Sequence, residues 1–126
     1  MKKPVILVVD DDEPILGLMR TVLREFKFDP ITASSGAAAL EKAREGSPDL
    51  ILLDMNMPGM SGHEAVKAFQ ADEKLRSVPI LIVSGEPVSP GDLEAIGALG
   101  AVQKPFDLPL LIEQIHAALQ PVPSRS

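Results

Sequence analysis

Polar side chains that can do chemistry follow four short apolar runs in this sequence. Asp10 and Asp11 come after the first run, and Asp54, Ser84 and Lys104 come at the ends of three later runs. Such runs predict strands buried on both faces, and the carboxyl ends of parallel strands meet at one edge of a sheet, where ligand sites form. The sequence therefore predicts one site that combines carboxylates for a hard cation with one hydroxyl and one ammonium. This set of groups suits phosphoryl chemistry.

The three aspartates at this edge, Asp10, Asp11 and Asp54, favour a metal site. Two carboxylates about 4 Å apart repel each other by roughly 4 kcal/mol at an effective dielectric of 20, and nothing in a folding core rewards that arrangement. A divalent cation does, and all-oxygen ligation with retained water suits Mg²⁺. A single aspartate at a strand end is more simply interpreted as a cap. Asp12 and Glu13 are interpreted as a solvated helix start, where the helix dipole favours negative charge.

Lys104 and Ser84 are candidate site residues only because the sequence places them near the acidic residues. Lys104 precedes Pro105, which biases its backbone to an extended geometry, so its ammonium can reach across the strand ends. Taken alone, Lys104 would be a surface lysine and Ser84 a turn residue. His63 and His116 are interpreted as plain helix residues, because neither has metal-ligand company or a position from which to donate a phosphoryl group.

The composition predicts one soluble domain that binds neither nucleic acid nor membranes. The 126 residues, 45% of them hydrophobic, suffice for a single core, and the net charge of -6 leaves no basic footprint. The only aromatic residues are four phenylalanines, which excludes a platform for stacking bases. The absence of cysteine fits a reducing compartment. The first apolar run is too short for a signal peptide and no run approaches membrane-spanning length, so we expect a cytoplasmic protein.

Strand-like runs alternate with helical patterns, in the order βαβαβαβαβα. Apolar spacing predicts helices over 14–26, 36–45, 62–71 and 108–119, with a short helix between Ser89 and Gly97. Pro14 suits a first helical position, Gly46 a helix stop, Asp107 a cap, and the pairs Ser61–Glu64 and Ser89–Asp92 capping boxes. Apolar strands alternating with amphipathic helices predict an α/β fold, a doubly wound five-stranded parallel sheet with five helices.

The predicted domain covers residues 1–120, and residues 121–126 are interpreted as a tail or the start of a linker. The short helix is bounded by Gly97 and Gly100, and we expect it to be the most mobile element. In the first helix Ile15, Leu18 and Val22 add apolar residues beside the core face. They form either a wide core stripe or a docking face for a helix of a partner protein, with the core stripe favoured.

Four segments, taken together, resemble the signature of the response-regulator receiver domains of two-component signalling. They are residues 6–11, 53–62, 83–85 and 104–106, and the resemblance spans roughly residues 5–119. One segment alone would be weak, but all of them in order at workable spacing are highly specific. The resemblance implies the flavodoxin-like (CheY-like) strand order 2-1-3-4-5.

The resemblance also implies the roles of the acidic residues. Asp54 would be the phosphoacceptor, which takes a phosphoryl group from a histidine kinase, a histidine phosphotransfer protein or a small donor. Asp11, Asp54 and the backbone carbonyl of Asn56 would bind Mg²⁺, and Asp10 would act mainly through water. The metal would offset charge on the transferring phosphoryl oxygens.

The remaining motif residues would act as the switch. Lys104 would pair with Asp54 and then with a phosphoryl oxygen, and Ser84 would hydrogen-bond another oxygen after phosphorylation. Gly85 would leave room for the phosphoryl group, and the Lys104–Pro105 bond is often cis in this family. The surface that changes would be helix 4, strand 5 and helix 5, which would signal to a downstream protein target or an output domain.

Three positions bear on how such a switch would work here. The aromatic residue commonly found three positions before the lysine is Ala101 in this chain. We therefore predict that output relies on backbone movement of residues 84–89 and of the fourth helix. Asn56 and Glu86 lie at positions that flank the path of the attacking water in the family. Two polar residues there predict a comparatively short-lived phosphoryl group.

Two other classes of protein remain as alternatives. One is a phosphorylation-independent interaction module that keeps the fold; Ala101 leaves it open, and the intact motif residues argue against it. The other is a Mg²⁺-dependent phosphohydrolase that forms an aspartyl-phosphate, although the chain offers no cap domain. The favoured interpretation is a phosphoacceptor signalling switch and not a turnover enzyme.

Overall fold

The computed structural model describes residues 3–120 and confirms the predicted alternation of strands and helices. The strands are β1 (Val5–Val9), β2 (Asp29–Ala33), β3 (Leu50–Asp54), β4 (Ile80–Ser84) and β5 (Gly100–Gln103). The helices are α1 (Glu13–Glu25), α2 (Gly36–Gly46), α3 (Gly62–Ala71), α4 (Pro90–Ile96) and α5 (Leu108–Leu119). The tail predicted for residues 121–126 lies outside the described residues.

The five strands form one parallel sheet in the order β2-β1-β3-β4-β5, as predicted. The register brings the polar strand ends level with one another. Val9 pairs with Leu53, so that Asp10 and Asp54 follow at the same height. On the other side of β3, Asp54 pairs with Val83, and Ser84 follows one position later.

The sheet is covered on both faces, which explains why its central strands are apolar throughout. Every residue of β1 and β3 is buried. Successive residues point to opposite faces: in β1, Ile6 and Val8 pack in a cluster with α1 and α5, whereas Leu7 and Val9 pack in a cluster with α2 and α3. Period-two patterning is absent from these strands because neither face meets water.

Local capping follows the sequence in most helices. Ser61 and Glu64 form the predicted capping box of α3: the Glu64 amide donates to Ser61 Oγ at 3.1 Å, and the Ser61 amide donates to Glu64 Oε1 at 2.9 Å. Asp107 accepts from the Leu110 amide at 3.2 Å at the start of α5. At α4 only one half of a box forms, since the Asp92 amide donates to Ser89. The capping box predicted there was wrong, because the side chain of an aspartate is one methylene shorter than that of a glutamate.

Three helix-end predictions need correction. Pro14 is the second residue of α1, which begins at Glu13. Phe26, the last residue of the predicted helix 14–26, lies beyond the end of α1 and is 47% exposed. Gly46 stays helical, and Ser47 adopts the left-handed conformation (φ 48°) at the cap. The glycine allows close packing, since a Cβ there would collide with Ile31 Cδ1.

Side chains cover polar groups on both edge strands. On β2, Pro30 has no amide hydrogen, and Lys42 Nζ donates to the Thr32 carbonyl at 2.6 Å. On β5, Gln114 Nε2 of α5 donates to the Ala101 carbonyl at 2.9 Å. No helix in the part of the chain that the structure describes is long and apolar enough to span a bilayer.

Candidate functional site at the carboxyl edge of the sheet

The three predicted aspartates converge at the carboxyl edge of the sheet. Asp10, Asp11 and Asp54 each place a carboxylate oxygen so that the three atoms lie within 4.8 Å of one another. Asp10 and Asp54 are each only 3% exposed, and they are the buried polar residues in the core of the described chain. Asp11 is exposed and forms the solvent side of the cluster. This arrangement follows from the register, which sets the ends of β1 and β3 at one height.

Lys104 joins the cluster from the end of β5. Its ammonium lies 3.2 Å from Asp10 Oδ2 and 3.3 Å from Asp54 Oδ2. The Lys104 amide also donates to the Ser84 carbonyl at 2.8 Å, which fixes the lysine backbone beside β4. The Lys104–Pro105 peptide bond is cis, as the resemblance implied.

The electrostatics of the cluster leave it short of positive charge. Burial raises the pKa of Asp10 above its usual value of 3.8, and the neighbouring Asp54 charge raises it further, against the Asp12 amide and Lys104. Burial acts to lower the pKa of Lys104, but the ion pairs with Asp10 and Asp54 outweigh it and hold that pKa above 10.5. Three carboxylates face one ammonium, so two negative charges remain uncompensated.

Backbone amides hold the two buried carboxylates in place. The Asn56 amide donates to Asp54 Oδ1 at 3.0 Å, and the Asp12 amide donates to Asp10 Oδ1 at 2.9 Å. In each case the amide lies two residues after the carboxylate, as in an Asx turn. Asp54 therefore accepts from the backbone on one oxygen and from Lys104 on the other. The cluster leaves no buried side-chain polar atom of the described residues without a partner.

Ser84 lies at the predicted edge but is engaged in a local turn. Its hydroxyl accepts from the Glu86 amide at 3.1 Å. Ser84 and Glu86 both line a cavity between α3 and α4, together with His63. The structure thus places Ser84 beside the cluster without a hydrogen bond to Asp54 among the described contacts.

The residues present fit a divalent cation. Carboxylate oxygens from three residues lie close enough to share one ion, and hard oxygen donors are what Mg²⁺ prefers. The two uncompensated negative charges match the charge of such an ion. Asp10, Asp11 and Asp54 would hold it, and receiver domains typically bind Mg²⁺ at an acidic cluster of this kind.

Other residues singled out in the sequence lie away from the cluster. His116 packs against Phe28, with ring centroids 5.3 Å apart. In α1, Ile15 and Val22 pack against the core, which supports the wide core stripe, whereas Leu18 is 45% exposed. Ala101 packs against the face of the sheet that carries α2 and α3.

Sequence reasoning missed two parts of the site. The pairing of Lys104 with Asp10 was not predicted, since the lysine was assigned to Asp54 alone. The amide contacts of Asp12 and Asn56 were also missed. An aspartate in a turn often accepts a hydrogen bond from the backbone amide two residues later, and this tendency could have indicated both contacts.

Fold and site together define a doubly wound α/β protein with an acidic cluster at the carboxyl edge of its sheet. The chain matches the response regulator receiver domain over residues 6–116. It is 36% identical over 117 residues to the polar-differentiation response regulator DivK of Brucella ovis, which covers 90% of this chain and 94% of that protein.

Solved structures agree with this match. The chemotaxis protein CheY4 of Vibrio cholerae superposes with a TM-score of 0.86 at 33% identity, over 93% of this chain and 99% of that one. The N-terminal domain of a response regulator receiver protein from Methanoculleus marisnigri gives 0.76 at 33% identity, over 94% and 98%. The chain belongs to the response regulator receiver domain family. Receiver domains are signalling switches, generally not classed as enzymes, that interact with histidine kinases and downstream targets.

Proposed function

We propose that Asp54 accepts a phosphoryl group from a histidine kinase or a histidine phosphotransfer protein in a Mg²⁺-dependent transfer. The observation that carries this proposal is the burial of Asp54 at 3% exposure with the Lys104 ammonium 3.3 Å from Oδ2. A buried carboxylate is retained when it is paired or binds a metal. At this site Asp54 is paired with Lys104, and the remaining negative charge is available to bind a cation.

Phosphoryl transfer requires little covalent chemistry from the protein. An Asp54 oxygen attacks the phosphorus atom, a P–O bond forms, and the P–N bond to the donor imidazole breaks. The Asn56 amide fixes the orientation of the Asp54 carboxylate through Oδ1. Lys104, already beside Oδ2, donates to a phosphoryl oxygen as negative charge builds there. Bound Mg²⁺ would supply the remaining charge compensation.

The switch acts on the loosely held part of the fold. The helix α4 has no buried residue, and the Ser84 hydroxyl is held by a local turn, in which it accepts from the Glu86 amide. A phosphoryl group adds about 1.5 to 2 negative charges and new acceptors. A hydrogen bond from Ser84 to a phosphoryl oxygen would exist in only one of two loop conformations, so it shifts their populations. The surface of α4, β5 and α5 would carry that shift to a protein target.

The test is intact-mass spectrometry after incubation with acetyl phosphate and Mg²⁺. We expect one phosphoryl adduct in the wild type and in Asp29→Asn, which alters an exposed carboxylate at the start of β2. No adduct should form in Asp54→Asn or in the presence of EDTA. An adduct that persists in Asp54→Asn would contradict the assignment. No adduct in the wild type, together with no binding of beryllofluoride, would favour a phosphorylation-independent interaction module.

A further inference from the structure

A cavity of about 340 Å³ lies between α3 and α4, on the side of β4 away from α5. Its apolar wall is formed by Met55, Ile82, Val88 and Ile96. The volume falls within the range of about 300 to 1,000 Å³ that is typical of small-molecule sites. Its lining includes Ser84 and Glu86 but none of the three clustered aspartates.

The helix α4, beside which the cavity lies, is short. Its seven residues include none that is buried, and Leu93 and Ile96 are only partly buried against the core. A hydrogen bond of 3.1 Å from Gln70 Nε2 to the Gly97 carbonyl ties the end of α4 to α3. The two helices are thus joined at one end and open at the other, beside Ser84.

The charge at the open end is negative. Glu86 and Asp92 line the cavity, both are exposed, and neither forms an ion pair among residues 3–120. No lysine or arginine lines the cavity. An apolar wall below two unpaired carboxylates is complementary to an apolar body that carries one positive charge.

We propose that this cavity binds a small organic cation, an ammonium or guanidinium group on an apolar body. The cationic group would lie between Glu86 and Asp92, and the apolar body would contact Met55 and Ile82. A volume of about 340 Å³ falls within the range typical of small-molecule sites, which favours a free small molecule over a basic side chain from a partner protein.

Such a ligand would act on the switch, and this consequence rests on the proposed function. The Glu86 amide holds the Ser84 hydroxyl at 3.1 Å, and both residues line the cavity. An occupant that contacts Glu86 would hold this turn in place, whereas the switch proposed above moves the loop that follows Ser84 on phosphorylation. Ligand and phosphoryl group would therefore weaken each other's binding by the same factor.

The test is titration of the ¹⁵N-labelled protein, followed by amide chemical shifts, with phenethylamine, 2-phenylethanol, 3-phenylpropionate and a capped lysine. We expect saturable shifts around the cavity with phenethylamine, and weaker binding of the other three probes. The double variant Glu86→Gln, Asp92→Asn should weaken phenethylamine binding about fivefold, the scale of an exposed ion pair. Glu94→Gln, on the same helix but outside the cavity, should not.

A second variant guards against misfolding. Ala95→Leu enlarges a side chain that lines the cavity while keeping a good helix former, and it should abolish the shifts while leaving the spectrum of β1 unchanged. Equal binding of 2-phenylethanol, or capped lysine binding as tightly as phenethylamine, would overturn the proposal. So would an absence of shifts at the cavity.

The link to the switch has its own measurement. Saturating phenethylamine should weaken beryllofluoride binding at least twofold, and an unchanged affinity would overturn the link. Failure of the protein to bind beryllofluoride at all would count against the proposed function, while the shifts at the cavity would still report on the ligand site.

Discussion

The Lys104 ammonium lies 3.2 Å from Asp10 Oδ2, at least as close as it lies to the phosphoacceptor candidate. Asp10 is therefore a partner of the lysine and not only a neighbour of the metal site. The pKa of Asp10 is nevertheless raised, chiefly by burial and also by the Asp54 charge, since these two effects outweigh the Asp12 amide and Lys104.

Asp10→Asn should stabilise the fold at neutral pH. The folded protein keeps a proton on Asp10 to a higher pH than the unfolded chain does, so this residue lowers stability as pH rises from 3.8 through its raised pKa. We expect the variant's gain in urea midpoint to be largest at neutral pH and to shrink as the pH falls toward 3.8. Asp11→Asn, at the exposed position, should gain less; an equal gain would show that burial is not the cause.

Mg²⁺ should raise the free energy of unfolding through the aspartate cluster. At a free concentration of about one hundred times Kd the gain is about 2.7 kcal/mol, read from thermal or urea unfolding. Asp11→Asn should weaken Mg²⁺ binding by at least about tenfold. Asp12→Asn, which removes an adjacent carboxylate outside the cluster, should retain the gain. Equal losses in the two variants would mean that the ion only screens charge.

Gly62→Ala should destabilise the protein at the loop that follows Asp54. A Cβ at Gly62 would lie 2.8 Å from the Met55 Cα, a backbone atom that cannot move aside without shifting the loop. We expect a loss of about 1–3 kcal/mol by denaturant unfolding. Gly17→Ala in α1 is the matched control, since its nearest neighbour would be Arg20 Nη2 at 3.9 Å. It should gain about 0.5–1 kcal/mol, and a loss there would contradict the packing argument.

The phosphoryl group should live longer without the side chains of Asn56 and Glu86. The backbone amides of these residues already hold Asp54 and Ser84, so alanine preserves those contacts. We expect the Asn56→Ala, Glu86→Ala variant to show a several-fold longer half-life, measured by the decay of the mass adduct, and Glu94→Ala to match the wild type. An unchanged half-life in the double variant would count against a role for these side chains.

Beryllofluoride should change amide chemical shifts throughout residues 84–89 and α4. Ala101 has no ring to report the state of Ser84, and α4 has no buried residue to hold it in place. Shifts confined to the loops around Asp54 would show that the signal does not travel by backbone movement.

Much of the fold could be predicted from short stretches of the sequence. The runs that became β1 and β3 are apolar throughout because both faces of the sheet are covered, and Ser61 with Glu64 carries the start of α3 in four residues. The prediction that Gly46 ends its helix was wrong because this glycine instead allows close packing against Ile31, a residue far away in the chain. The prediction that Phe26 belongs to the first helix was wrong because the helical spacing of apolar residues continues in the sequence after the helix has ended.

The members of the site could also be named from sequence, but their pairing could not. That Asp10, Asp54 and Lys104 meet follows from parallel strand ends. That the lysine is shared, and that Ser84 is held by Glu86, depends on distances of a few tenths of an ångström which no spacing encodes. The roles assigned to the site residues remain predictions for the experiments above.

The covered edges of the sheet restrict how this protein meets others. Pro30 and Lys42 occupy the outer side of β2, and Gln114 occupies a carbonyl on the outer side of β5. Open edges invite another chain to add a strand, and prolines and lysines discourage it. Both edges of the sheet are thus protected from the addition of a strand and from the aggregation that strand addition can start. We therefore expect partner proteins to contact side chains of the helices and loops and not the edges of the sheet.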